Sequence, residues 1–445
     1  MSDPPSGKTQ LEKILRHRRL CVAPIALCAV IGSAHADESS ATLYGTLDEA
    51  IAHLTHALDF DPNHPVANNP NVTHGTEAAT GILNGGLSQT KWGLKGQEDM
   101  GGGLKGVFLL EEAFNLGSGY ISNAAFGLAN NKSTGPNMSA DSAISGQMFN
   151  RGAYLGLSSN TWGTLTAGRQ QSFFLDNIAI FDPMMGSQAF SPIGFSGKYG
   201  GGGDTDNSRV DNSLKYRLAV ADFDLGALYK FGGVAGASSA QSAWELNAVY
   251  ASGPLALQLG YQSFHDAFSI SNAAGTGTIN VTAADTKAYM ASAKFTWEKT
   301  TVRGGYQKLT YNNPSNPTRD QQVTTLFNEP INGLVNVAAF PNQENINVYW
   351  IGGGQDITSA LTMLLGVYHI VQNSYSCTTG AQSGCGGALN YYSLVADYNL
   401  SKHTDLYLGF MDSLVSGGPA NAVHNAAGPS VNTDVIYAMG MRHRF

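Results

Sequence analysis

The sequence is poor in charge, in cysteine and in long apolar runs. Charged residues make up 13% of its 445 residues, and only four cysteines occur. Beyond residue 36 no stretch approaches the about 20 consecutive apolar residues that a membrane-spanning helix needs. In hydrocarbon every backbone N–H and C=O must be bonded internally, so without such helices a membrane location requires a closed β-barrel.

Sequence motifs for catalysis and metal binding are also missing. The run GFSGKYGGGG has Tyr199 where a phosphate-binding loop needs serine or threonine. The eleven histidines are scattered, and neither a zinc-binding pattern nor a Gly-x-Ser-x-Gly turn occurs. We therefore predict that the protein is not an enzyme and holds no metal or cofactor.

The first 36 residues have the order of a secretory signal peptide. Five basic residues come first, followed by 14 mostly apolar residues and then Ala-His-Ala. This order predicts cleavage after Ala36 and one exported domain at 37–445. Pro24 disfavours the alternative, a buried N-terminal helix. Cys28 raises the possibility of a lipoprotein signal, but leucine precedes it where a small residue is expected.

The cysteines of the exported part indicate whether a disulfide can form, and its net charge indicates which partners it can bind. Cys377 and Cys385 are its only cysteines, and in an oxidising compartment we predict one local disulfide, with two free thiols as the alternative. Removing the first 36 residues takes away five of 25 basic and two of 33 acidic residues, which leaves a formal charge of −11. That charge disfavours nucleic acid as a partner.

Alternation of apolar and polar residues with period two predicts β-strands. In TDVIYAMGMRHRF, at 433–445, the odd positions carry Tyr437, Met439 and Met441, whereas the even positions are small or charged. LALQLGYQSF, at 255–264, repeats the pattern. One face of each strand can therefore contact lipid or an apolar core, and the other face can contact water.

Seven short turns separate paired strands, and eight long polar segments separate the pairs. The turns lie at 97–103, 158–164, 218–222, 251–254, 298–301, 355–360 and 400–404. The long segments lie near 55–88, 116–147, 171–208, 232–242, 264–286, 311–345, 371–388 and 413–432. With both chain ends on the side of the short turns, this count predicts sixteen antiparallel strands and the loop asymmetry of a transmembrane β-barrel.

A large soluble β-sandwich or propeller would show the same alternation. Aromatic residues distinguish the two, because membrane interfaces collect such side chains near strand ends. Trp92, Trp297, Tyr398, Tyr407 and Tyr437 fall near predicted strand ends. Together with the signal peptide, they favour a barrel whose outer face contacts lipid.

Segments spread over residues 41–445 resemble the trimeric general porins of Gram-negative bacteria. They are ATLYGTLDEAI, TKWGLKGQEDMGGGLKGVFLLEEAFNL, FNRGAYLGLSSNTWGTLTAGRQ, SRVDNSLKYRL, LVADYNLSKHTDLY and GMRHRF, in the order and spacing of the family. The resemblance implies an outer-membrane homotrimer that passes ions and small hydrophilic solutes. It also implies that Phe445 is the signal read by the machinery that assembles outer-membrane barrels.

The resemblance further implies a constriction inside the channel. Sixteen strands enclose a lumen too wide for side chains to fill. In the family the third long loop folds inward, and the matching segment here is 171–208, whose apolar stretches suit packing against the inner wall. The alternative is an ordinary surface loop, in which those stretches would be exposed.

Three basic residues match the positions that the family places on the wall opposite this loop: Lys91, Arg151 and Arg209. The alternation of the strand agrees with an inward Lys91. Arg151 instead shares the phase of the apolar Leu155 and Leu157. Either its strand begins after it or a local irregularity turns it inward.

Asp176 and Asp182 are the predicted acidic side of the constriction, with Asp204 and Asp206 following. The segment lacks the acidic tip of some family members and reads SPIGFSG there. Because charges on outer loops are screened beyond about 8 to 10 Å, local cations should outweigh the negative net charge. The sequence therefore favours anions as the preferred ions.

Taken together, the sequence predicts an all-β protein: a sixteen-stranded outer-membrane porin barrel with an inward-folded third loop. Passage through it would be passive, limited by size and charge at the constriction. Two alternatives stay open, a solute-specific channel and a barrel that serves as a surface adhesin or receptor.

Overall fold

The computed structural model describes the strands, the short turns and parts of the long loops. It covers residues 39–57, 77–117, 119, 148–194, 209–266, 269–270, 281–282, 285–313, 315–316, 325–326, 329–330, 343–373, 386–417 and 433–445. The predicted signal peptide, Cys377, Cys385, Asp204 and Asp206 lie outside these ranges, so the cleavage site and the disulfide stay predictions.

The described elements are almost all strands. They are β1 Ser40–Ala57, β2 Glu77–Asn84, β3 Lys91–Asp99, β4 Leu104–Ala113, β5 Gly152–Ser159, β6 Gly163–Gln171, α1 Phe173–Phe181, β7 Arg209–Val220, β8 Phe223–Lys230, β9 Ala243–Ser252, β10 Leu255–Phe264, β11 Ser269–Ile270, β12 Val281–Thr282, β13 Asp285–Trp297, β14 Thr300–Asn312, β15 Thr325–Leu326, β16 Glu329–Pro330, β17 Glu344–Asp356, β18 Leu361–Gln372, β19 Gly387–Asn399, β20 Thr404–Gly417 and β21 Thr433–Arg444. β11 with β12 and β15 with β16 form two separate two-stranded ladders. Within the described ranges, no helix has the length and apolar character needed to span a bilayer.

The other strands form one closed antiparallel barrel. From β3 onward each pairs with the next along the chain, and β21 pairs back with β1, from Thr46 opposite Arg444 to Leu54 opposite Ile436. On the other edge of β1, β2 pairs with its second half and β3 with its first half. β2 and β3 are therefore one interrupted strand, and the barrel has the sixteen strands that the sequence predicts. Its closure excludes the soluble sandwich.

All seven predicted short turns are present. They join β3 to β4, β5 to β6, β7 to β8, β9 to β10, β13 to β14, β17 to β18 and β19 to β20. β1 begins and β21 ends at the same rim of the barrel as these turns. There Gly45 and Phe445 exchange two backbone hydrogen bonds of 3.0 and 3.2 Å, so the first and last strands are joined.

Outward and inward residues alternate along the strands, as predicted. On β10, Leu257 and Leu259 are 42% and 66% exposed, whereas Gln258 between them is 2% exposed. On β21, Met439 is exposed and Ala438 is buried. The outward residues form an apolar band around the barrel, which is the surface that lipid contacts in transmembrane barrels.

One aromatic position is predicted wrongly. Tyr407 faces the inside of the barrel, because Leu406 and Leu408 take the outward positions on β20. Its hydroxyl donates a hydrogen bond of 2.5 Å to Asp48 Oδ1. Trp297, by contrast, is 68% exposed on the outer face, where an interfacial residue is expected.

The interruption between β2 and β3 corrects a second prediction, since β2 lies where the sequence indicates only a loop. The buried Asp48 carboxylate accepts the backbone N–H groups of Gly86 at 3.0 Å, Leu87 at 3.1 Å and Ser88 at 2.6 Å. These N–H groups therefore donate to a side-chain carboxylate where a regular strand would donate to the backbone carbonyls of its neighbour. Gly85 precedes them with a φ of 80°, a conformation that favours glycine.

Candidate functional site

Residues 172–194 begin with α1, which is fixed to the wall at its N-terminus. The Ser172 hydroxyl caps the helix. Glu245 on β9 accepts the backbone N–H groups of Phe173 and Phe174, both at 2.9 Å. A carboxylate at this end satisfies helix donors that have no intrahelical partner and complements the helix dipole. Glu245 therefore holds the start of the segment.

Asp176, on the first turn of α1, meets two cations of β7. Lys215 Nζ lies 2.7 Å from Asp176 Oδ2, and Arg217 forms a second ion pair with the same oxygen. Lys215 Nζ also lies 4.3 Å from the ring centroid of Phe173. Asp224 lies 3.7 Å from Arg217. Two cations thus face two carboxylates, so this group of side chains is close to neutral.

Asp182 ends α1 and is fully buried. Its carboxylate accepts the Tyr368 hydroxyl at 2.6 Å and the Gly186 N–H at 2.7 Å. Burial raises the pKa of Asp182, while these hydrogen bonds act in the opposite direction. Beside it, Trp350 Nε1 donates to the Phe181 carbonyl at 3.0 Å. Asp182 therefore anchors the segment to β17 and β18 and exposes no charge to water.

The segment continues toward β19, β20 and the break between β2 and β3. Ser187 Oγ donates to the Gly86 carbonyl at 2.8 Å, and Ser393 Oγ on β19 donates to the Phe190 carbonyl at 2.7 Å. The rings of Phe190 and Tyr407 meet edge to face with centroids 6.4 Å apart. These wall groups lie on the face opposite to the outer apolar band.

A second group of charges surrounds Glu111 on β4. Glu111 Oε1 accepts Arg151 Nε at 2.6 Å, and Glu111 Oε2 lies 3.2 Å from Lys91 Nζ. Tyr44 donates its hydroxyl to the same oxygen at 2.7 Å. The structure therefore brings two of the three predicted basic residues together, around a carboxylate that no sequence pattern singles out.

Arg209 and Arg169 extend this group. Arg209 begins β7, is buried, and donates to Gln89 Oε1 at 3.3 Å. It lies within electrostatic range of Arg151 and Arg169. Arg169, which is not among the predicted residues, forms an ion pair with Asp211. Arg209 thus lies among other cations, and its role at a constriction stays a prediction.

We call Lys91, Arg151, Arg169 and Arg209, with Glu111 and Asp211, the basic cluster. Four cations and two carboxylates give it a formal excess of two positive charges. The Tyr154 hydroxyl on β5 interacts electrostatically with both Glu111 and Asp176. The basic cluster and α1 therefore lie on either side of Tyr154, close to the same part of the inner wall. In the described part of the chain, no three His, Cys, Asp or Glu side chains are grouped to hold a metal ion.

The structure also explains the phase of Arg151. β5 begins at Gly152, directly after it, so Arg151 is outside the alternation of the strand. Phe149 has a φ of 58°, which turns the chain just before the strand. Of the two explanations that the sequence leaves open, the late start of the strand is therefore correct.

Phe445 lies at the seam between β1 and β21. Its ring covers Gly45, where an added Cβ would come within 2.4 Å of the ring. About half of the side chain remains exposed on the outer face. This position is accessible to another protein, and the role of Phe445 in assembly stays a prediction.

The chain is similar to known porins in sequence. The family model of the Gram-negative porins matches residues 23–418. An outer membrane porin protein of Bordetella pertussis is 26% identical over 403 residues, which are 88% of this chain and 92% of the relative.

Solved structures share the fold. The anion-selective porin from Comamonas acidovorans superposes with a TM-score of 0.60 at 19% identity, over 92% of this chain and 100% of that one. The trimer form of OmpT from Vibrio cholerae superposes with a TM-score of 0.53 at 13% identity, over 92% and 100%. With the family model spanning most of a closed sixteen-stranded barrel, the chain belongs to the Gram-negative porin family and forms a diffusion channel of the outer membrane.

Proposed function

We propose that this porin passes ions and small hydrophilic solutes passively and prefers anions. The observation that carries the preference is the excess positive charge of the basic cluster. Fixed charge on a channel wall raises the local concentration of ions of opposite sign. The similar porin of Comamonas acidovorans is described as anion-selective, which supports the same direction at the level of the fold.

The proposed constriction is the space between the basic cluster and residues 172–194. Lys91, Arg151 and Arg209 supply its cationic side. Asp176 borders it from α1, and Asp182 keeps the more distant part of the segment against the wall. Solutes would be sorted there by size, and ions also by sign.

We further propose that the protein works as a homotrimer in outer-membrane lipid. A trimer form is described for the structurally similar OmpT of Vibrio cholerae. The barrel assembly machinery would recognise Phe445, whose exposed ring marks the closing seam.

Reversal potentials in planar bilayers under a salt gradient test the anion preference. A unit charge about 9 Å from the ion path changes an ion's energy by roughly 0.5 kcal/mol in water, and screening in about 0.1 M salt lowers this to roughly 0.2 kcal/mol, with opposite signs for anions and cations. The double variant Arg151→Gln with Arg209→Gln should therefore shift the permeability ratio toward cations by roughly fourfold.

The matched control is Lys299→Gln with Lys402→Gln, which removes two exposed charges from the short turns. It should leave the potential unchanged. An unchanged potential in the arginine variant would remove Arg151 and Arg209 from the constriction. Saturable block of the wild type by a single solute would favour a solute-specific channel.

A further inference from the structure

The inner wall beneath α1 carries glycine at two neighbouring positions. Gly226 on β8 and Gly260 on β10 both lie opposite Asn247 of the strand between them, so the three residues form one row across the inner face. Asn247 Oδ1 accepts the side-chain amide of Asn177 on α1 at 2.8 Å. Asn247 therefore holds the helix to the wall between the two glycines.

The two glycines leave the space that the first two side chains of α1 occupy. An added Cβ at Gly226 would lie 2.3 Å from the Phe173 ring, and one at Gly260 would lie 2.7 Å from the Phe174 ring. Both rings are buried. Carbon atoms in contact are about 3.5 to 4.0 Å apart, so a side chain at either glycine requires that the rings move away from the wall.

A second pair of glycines lies beneath the residues that follow α1. Gly352 on β17 and Gly366 on β18 lie opposite each other. An added Cβ would come within 2.8 Å of Pro183 at Gly352 and within 3.2 Å of Met184 at Gly366. The wall therefore receives the segment 172–194 at glycine positions near both ends of the helix.

The face of α1 that is turned away from the wall borders the channel. Phe173, Phe174 and Asn177 are buried on the wall side, whereas Ala179 is exposed. The helix lies inside the barrel, so a displacement away from the wall carries it into the lumen. The distance between α1 and the wall therefore determines how much of the lumen stays open.

We propose that Gly226 and Gly260 are positioning residues that set the width of the channel, because they determine how far α1 projects from the wall. The inference rests on the proposed function, in which the segment 172–194 borders the constriction. A methyl group at either glycine would move the helix by roughly 1 Å toward the lumen, since a close-packed contact has no void to absorb it. Glu245 still holds the helix N-terminus, so the helix moves without detaching.

Exclusion of neutral polyethylene glycols from the open channel in planar bilayers tests this proposal. Gly226→Ala with Gly260→Ala should lower the single-channel conductance and reduce the largest polymer diameter that enters by about 1 Å. Adding Phe173→Leu and Phe174→Leu removes the ring atoms nearest to the new methyl groups and should restore the wild-type cut-off. A role in stability alone predicts easier unfolding in urea with an unchanged cut-off.

The matched control is Gly106→Ala on the outer face of β4. Gly106 lies opposite the exposed Leu157, and the nearest atoms to an added Cβ are 3.7 and 3.9 Å away. Its conductance and cut-off should equal those of the wild type. If the double glycine variant does not fold, Gly260→Ala alone has the milder contact and should shift the cut-off in the same direction by a smaller amount.

An unchanged or larger cut-off in the glycine variants would overturn the proposal, and so would an equal decrease in Gly106→Ala. The wild type separates this failure from a failure of the proposed function. A wild-type channel without a size cut-off would remove the constriction itself. A wild-type cut-off that the substitutions at Gly226 and Gly260 do not change would contradict only the role of these glycines.

Discussion

The charge of Glu111 sets the balance of the basic cluster. Its carboxylate is buried and lies between Lys91 and Arg151, with the Tyr44 hydroxyl as a third partner. Hydrogen bonds to charged groups are worth more than neutral ones. The carboxylate therefore orients both cations, and at the same time it cancels one of their charges for an ion that passes.

Neutralising this carboxylate should strengthen the anion preference. Glu111→Gln keeps the shape and removes one negative charge, so the permeability ratio should move toward anions by roughly twofold. This shift is opposite in sign to the one expected for Arg151 and Arg209. Reversal potentials in planar bilayers measure it.

Glu112→Gln is the matched control for Glu111→Gln. Glu112 follows Glu111 on β4, so strand alternation points it away from the lumen, and its buried carboxylate accepts Trp92 Nε1 at 3.1 Å. Its neutralisation should leave the reversal potential unchanged. The same shift in both variants, or a shift of Glu111→Gln toward cations, would contradict the assignment of Glu111 to the channel wall.

The Tyr407 hydroxyl supports the interruption between β2 and β3 through Asp48. Tyr407→Phe removes one donor from a buried carboxylate that also holds three backbone N–H groups, so we expect a loss of about 1 to 3 kcal/mol in the free energy of unfolding. Urea unfolding of the folded barrel in detergent measures the change. Tyr437→Phe, on the exposed outer face, is the control and should change stability little. Equal stability of the two variants would show that the hydroxyl does not stabilise the break.

The family resemblance predicts Lys91 and Arg151 as basic residues of the channel wall. Strand alternation does not predict that Arg169 joins them. Gly168 has a φ of 135°, and the pairing of β6 with β7 shifts register between Gly168 and Gln170. Such a bulge adds a residue and changes the phase of the side chains that follow. Period two therefore fails at the position where Arg169 joins the cluster.

At the scale of elements, strands and short turns could be predicted because their signals are local. Alternation fixes the faces of a strand, and turn residues fix its ends. β2 was missed because the interruption that follows it depends on Asp48, a residue of another strand. The docking of α1 was also not predictable, because Glu245 is 72 residues from Phe173 in sequence.

The docking of α1 should depend on Glu245. Glu245→Ala leaves the N–H groups of Phe173 and Phe174 without an acceptor, which costs about 1 to 3 kcal/mol for a buried donor. The segment should then detach more often, and open-channel current noise in planar bilayers should rise. Glu298→Ala, in an exposed turn, removes the same side chain elsewhere and should keep the wild-type noise. Wild-type noise in Glu245→Ala would show that this carboxylate does not hold the segment.

At the scale of the whole molecule, the barrel has apolar groups on both sides of its wall. The outer band faces lipid, while inward residues such as Trp350 and Tyr368 are buried with Phe174 and Phe190 of the segment 172–194. Sequence patterns predict the number of strands and their outer face. They do not predict which inward groups meet the segment, because those contacts join residues far apart in the chain.

Closure of the barrel fixes a register between β1 and β21 that cysteine pairs can test. Gly45 and Phe445 exchange both backbone hydrogen bonds, and paired positions alternate along an antiparallel ladder. Ala52 and Ala438, seven positions further, are therefore a non-hydrogen-bonded pair with Cα atoms about 4.5 Å apart. That spacing lies within the range of a disulfide.

We expect Ala52→Cys with Ala438→Cys to form a disulfide on oxidation of the folded protein, in a background with Cys377 and Cys385 replaced by serine. The bond would close a loop of nearly the whole chain, so the denatured, unreduced protein should migrate faster on a denaturing gel. The control, Ala50→Cys with Ala438→Cys, has a diagonal separation of about 7 to 8 Å and should cross-link far more slowly. Cross-linking of the control as fast as the matched pair would contradict this register, and failure of the matched pair would contradict closure between the first and last strands.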